Sequence, residues 1–65
     1  MIKVSKAVWQ GLEAVHESGA VNMLDFHGVM NQAIKLGFPD TAVWIHEHPD
    51  LYVRGAFARF EPFSS

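Results

Sequence analysis

The residues with the greatest chemical capacity in this 65-residue chain lie in its last third: His46-Glu47-His48-Pro49-Asp50, then Tyr52-Val53-Arg54-Gly55-Ala56-Phe57-Ala58-Arg59-Phe60. Imidazoles beside carboxylates invite a metal ion. On a helix, however, residues two apart face different directions, so His46 and His48 would share a metal only from an extended segment. They also lack the four-residue spacing of His-Glu-x-x-His. No metal site is expected here; the segment reads as a solvated helix end whose imidazoles lie near the negative terminus of the helix dipole. The second run interleaves arginines with aromatics, a planar fork for phosphate and rings for stacking on a base. Trp44, His48, Tyr52, Arg54 and Arg59 are therefore the expected ligand contacts. A plainer reading makes the same run a last amphipathic helix, with Val53, Phe57 and Phe60 packed inward and the arginines in water.

Catalytic groups are present only as scattered types. His16 or His27 with Ser5 or Ser18 and a carboxylate would supply the members of a hydrolytic triad, but such a triad is defined by geometry. Four histidines in so short a chain make chance combinations ordinary. A domain of this size rarely encloses the ~300 Å³ that ligand pockets usually need. No catalytic residue and no cofactor are expected, and the chain reads as non-enzymatic.

Ala33, Gly37 and Val43 fall at the spacing of a helix-turn-helix, which needs a small residue at the crossing, a turn glycine and a branched apolar residue on the second helix. The would-be recognition helix, Thr41-Ala42-Val43-Trp44-Ile45-His46-Glu47-His48, carries no Arg, Lys, Asn or Gln to read base edges. The net charge of −2, seven acids against five bases, also argues against a protein that tracks phosphates. A small DNA-binding regulator is the alternative reading, and nucleic acid is not the expected partner.

These groups must be carried by a very small core. At 65 residues with no cysteine, the chain is one domain spanning 1–65, without disulfides, thiol nucleophiles or cysteine-based zinc sites, and suited to a reducing compartment. Hydrophobic residues make up 49% and aromatics 12%, more apolar surface than three or four short helices hide alone. A homo-oligomer is expected. The start Met1-Ile2-Lys3-Val4-Ser5-Lys6 lacks a following apolar targeting region, and no apolar run approaches the ~20 residues of a membrane span, so a cytoplasmic protein without membrane contact is expected.

The punctuation is helical throughout. Ser5 caps a first helix ending at Ser18-Gly19, with Val8, Leu12 and Val15 inward and Trp9 beside them. Asn22 is placed to cap a second helix over Met23–Leu36, with Asp25 in the reciprocal position and Val21 and Phe26 as its hydrophobic staple. Its stripe is Phe26, Met30, Ala33 and Ile34; Gly28 within it suits a close crossing, and Gly37 ends it. Asp40 then caps a third helix to about His48, and Asp50 a fourth from Leu51 to about Phe60. Pro62 and Phe63-Ser64-Ser65 read as a tail. The fold class is all-α, a small bundle of three to four short helices.

The residues Ser18-Gly19, Val21-Asn22-Met23, Asp25, Val29, Ala33, Gly37, Trp44-Ile45, Glu47, Tyr52 and Gly55 resemble a family of short phage and prophage proteins of unknown function, from about Val4 to Phe57. The Ser-Gly-x-Val-Asn-Met-x-Asp turn is the most specific part of that likeness, and it brings no catalytic or binding residues with it. The resemblance implies a context: an inhibitor acting in the host cytoplasm against antiviral defence, sequestering a small anionic nucleotide signal between subunits or binding a host defence protein.

Overall fold

The computed structural model describes residues 1–63; the tail reading of Ser64 and Ser65 lies outside them. The elements run β1 (Ile2–Val4), α1 (Lys6–Ser18), α2 (Phe26–Lys35), α3 (Pro39–Glu47), α4 (Pro49–Ala58) and β2 (Phe60–Pro62). The chain is mostly helical, with the expected four helices. An all-helical bundle is nevertheless a correction to make, because β1 and β2 pair in parallel, Ile2 against Phe60, Lys3 against Glu61 and Val4 against Pro62. Three residues are too few for a period-two pattern to show in a sequence. The pairing ties the two ends of the chain, with the Ile2 N–H donating to the Arg59 carbonyl at 2.9 Å and the Phe63 N–H to the Val4 carbonyl at 2.9 Å. Its edges carry a lysine and a proline, which discourage a further strand.

Helix α1 follows the sequence closely. The Val8 N–H donates to Ser5 Oγ at 3.2 Å, and Gly19 ends the helix at φ 64°. Val8, Leu12 and Val15 are buried, as is Gly11. Against Gly11 lies a close crossing: a methyl group there would run into the Thr41 side chain and the Phe38 Cβ of the α3 start. The buried Thr41 hydroxyl donates to the Val8 carbonyl at 3.2 Å, so its polar atom is satisfied.

The second helix begins later than expected. Asp25, not Asn22, is its cap, accepting the Gly28 N–H at 3.1 Å. Asn22 instead closes a local turn, its Oδ1 accepting from Leu24 N–H at 2.8 Å and its carbonyl from Asp25 N–H at 2.8 Å. Both residues are strong caps; three residues spent in a turn by the first leave the second to start the helix. Val21 and Phe26 pack on the core without forming a staple about Asn22. Gly28 faces its own capping carboxylate, not a crossing backbone. Val29 and Ala33 are fully buried, while Ile34, turned 100° from Ala33, is exposed. At the end, the Gly37 N–H reaches the Ile34 carbonyl at 3.0 Å and the Phe38 N–H the Ala33 carbonyl at 2.8 Å. This is the Schellman closure, with Gly37 at φ 92°.

Prolines, not aspartates, open the last two helices. Pro39 and Pro49 take the first helical positions, with Phe38 and His48 as caps that give no side-chain hydrogen bond. Asp40 and Asp50 lie inside the first turns, where their charge favours the helix dipole. Helix α4 turns Tyr52 and Gly55 inward, and leaves Val53 and Phe57 exposed, reversing the expected packing stripe. Phe60 does pack, but from β2. In the α2–α3 corner Ala33 is buried and Gly37 makes the turn, but Val43 is exposed and Ala42 and Ile45 fill the core instead. The third residue of the helix-turn-helix pattern therefore does not hold its role.

Candidate functional site

A series of rings crosses the molecule. Phe26 meets Tyr52 edge to face at 6.1 Å, Tyr52 stacks on Phe60 at 5.6 Å, Phe60 meets Trp44 at 5.9 Å, and Trp44 lies 5.4 Å from His48. Gly55 makes room for Phe60, since a Cβ at that position would enter its ring. Three of the five expected contacts, Trp44, His48 and Tyr52, are thus connected, through a ring outside that set.

Tyr52 is not a surface for a ligand. It is 1% exposed, its hydroxyl donates to the Met23 carbonyl, and burial pushes its phenol up to about 12. Arg54 is exposed two residues along α4, a rotation of about 200° from Tyr52. His46 and His48 are both exposed, and among the described residues no three His, Asp or Glu side chains gather to hold a metal.

Arg59 has a different setting. It lines an open groove of about 400 Å³ bounded by α1, the loop before α2, the end of α4 and β2. Trp9, Leu12, Met23, Ala56 and Phe60 give apolar walls; Glu13, His16, Arg59 and Glu61 give the polar groups. Of the five expected contacts Arg59 alone lines it. Glu61 also reaches Lys3 across the sheet at 4.0 Å, an exposed pair of small energetic weight. Trp9, Glu13 and His16 stand four and three residues apart on α1, so their common face was readable from the sequence; that it opens onto a groove was not.

The backbone singles out Arg59 as well. It sits at φ 139° and ψ 158°, a region nearly restricted to glycine. Helix α4 must stop there abruptly for Phe60 to enter the sheet and lie over Gly55, and the Arg59 carbonyl is held by the Ile2 N–H. Such a conformation costs about 1–3 kcal/mol and persists only where the surroundings impose it. An arginine where glycine would relax the chain, lining this groove, makes it the candidate ligand site.

The domain of unknown function DUF5049 matches residues 4–57, and the chain belongs to that family. No curated protein and no solved structure matches it.

Proposed function

We propose that this member of the family is a non-enzymatic binding protein, working as a homo-oligomer, whose groove holds a small nucleotide-derived anion. The observation that carries the reading is Arg59, a strained non-glycine residue that lines the groove of about 400 Å³. Trp9 offers a face for a base, the carboxylates of Glu13 and Glu61 accept from exocyclic amines, and the Arg59 fork suits a phosphate. The lining holds no hydroxyl or thiol to act as nucleophile. Affinity without turnover is what sequestration requires. Together with the likeness to phage proteins, this favours capture of a nucleotide signal in antiviral defence. A DNA-reading role is less well supported, because the exposed residues of α3 include Asp40 and Glu47, which repel phosphate.

Native mass spectrometry of gently purified protein tests the reading. It should show a defined oligomer carrying a few hundred daltons of extra mass per groove when the ligand is present in the expressing cell, and the released molecule should be a chemically intact nucleotide. Release of a cleaved product would contradict the non-enzymatic reading.

A further inference from the structure

We infer that the groove selects guanine among the bases, with Glu13 accepting from the N1–H and the 2-amino group of that base. The inference rests on the nucleotide reading of the groove given above and specifies its base. Two carboxylates, Glu13 and Glu61, line the groove beside Arg59, unlike the walls of a site for a bare phosphate. Only one of them has a counter-charge of its own: Lys3 stands 4.0 Å from Glu61 across the sheet. Glu13 is half-buried, and among the described residues its carboxylate has neither an ion-pair nor a hydrogen-bond partner.

Position and chemistry together give that carboxylate its occupant. Trp9 stands four residues before Glu13 on α1, one turn away on the same face, and both line the groove. A base stacked on the indole therefore has an edge within reach of Glu13, about 5–6 Å along the helix, while Arg59, from the end of α4, takes the phosphate. A carboxylate only accepts, through two oxygens side by side. Guanine alone of the common bases carries two adjacent donors on its Watson–Crick edge, N1–H and the 2-amino group, and so satisfies both oxygens at once. Adenine and cytosine each offer one amino donor beside a ring nitrogen that is itself an acceptor. Uracil offers one N–H between two carbonyls. Each of these sets a lone pair against an oxygen of Glu13, so the same group that attracts guanine repels its competitors.

Calorimetric titration with the 5′-monophosphates and 3′,5′-cyclic monophosphates of guanosine, inosine and adenosine tests the inference, because inosine differs from guanosine only in lacking the 2-amino group. Wild-type protein should bind a guanosine compound most tightly, lose about tenfold or more with its inosine counterpart, and bind the adenosine counterpart no better than inosine. Glu13→Gln exchanges one acceptor for a donor, the pattern that matches the adenine edge, so this variant should prefer adenosine compounds to guanosine ones. Glu61→Gln should keep the guanine preference. Glu13 makes no contact that holds the fold and the Lys3–Glu61 pair is exposed, so both variants should melt close to wild type. Wild-type protein that binds adenosine compounds as tightly as guanosine ones would overturn the inference and leave the nucleotide reading of the groove standing. A guanine preference that survives Glu13→Gln would overturn the role of Glu13, and binding of none of these compounds would contradict both readings.

Discussion

The Tyr52 hydroxyl donates to the Met23 carbonyl, joining the middle of α4 to the loop that precedes α2. This bond crosses 29 residues of sequence and anchors the ring on which Phe60 stacks. Met23 in turn lines the groove, so one hydrogen bond connects the core to the candidate site.

Tyr52→Phe keeps the ring and removes the donor, leaving the Met23 carbonyl unpaired. It should cost about 1–2 kcal/mol in urea unfolding, with the fold retained in circular dichroism. Stability equal to wild type would mean that the bond contributes nothing.

The same residue sets an alkaline limit. An ordinary tyrosine ionises near 10, but Tyr52 is held neutral up to about 12 by burial. The folded state thus binds this proton more tightly than the unfolded chain does. Its contribution is complete below pH 10 and is lost as the pH climbs to 12, by up to about 2 kcal/mol. Urea unfolding at pH 9 and pH 11.5 should show a larger decline for wild type than for Tyr52→Phe.

Gly55→Ala should destabilise, although glycine to alanine inside a helix ordinarily gains up to about 1 kcal/mol. The added methyl meets the Phe60 ring, which Tyr52 and Trp44 hold from two sides. A loss of about 1–3 kcal/mol is expected from such overpacking, measured by thermal unfolding.

At the α2 start, Asp25→Ala should cost about 1 kcal/mol through loss of the cap. Asn22→Ala should cost less, because its side chain closes only a solvent-exposed turn. The reverse order in thermal unfolding would restore Asn22 as the helix cap.

The helices were legible because their stops are local chemistry: Ser5 and Gly19 around α1, and Gly37 after α2, each act on the next few bonds. The places where reading failed all involve choice between local signals or contact at a distance. Asn22 and Asp25 are equally good caps, and only the turn between them decides. Asp40 and Asp50 resemble caps, yet the prolines before them occupy the first helical positions. Phe60 looked helical because it lies seven residues from Val53, and only its pairing with Ile2 at the other end of the chain makes it a strand. That same distant pairing imposes the Arg59 backbone and completes the groove. Arg59 was therefore named from its type and its aromatic neighbours alone; Glu13 was not named, His16 was weighed only for catalysis and Trp9 only for packing, and Tyr52 was expected as a contact although it is core.

Arg59 tests the proposal most directly, because strain and binding separate there. Calorimetric titration with a panel of nucleoside mono-, di- and cyclic phosphates is compared for wild type, Arg59→Gly and Arg59→Ala, alongside their thermal stabilities. Glycine relaxes φ 139°, so Arg59→Gly should be more stable than Arg59→Ala by about 1–2 kcal/mol, while both lose at least about tenfold in affinity for the nucleotide that wild type binds. Wild-type protein that binds none of the panel, or an Arg59→Gly variant that binds as tightly as wild type, would contradict the assignment of the groove as a nucleotide site.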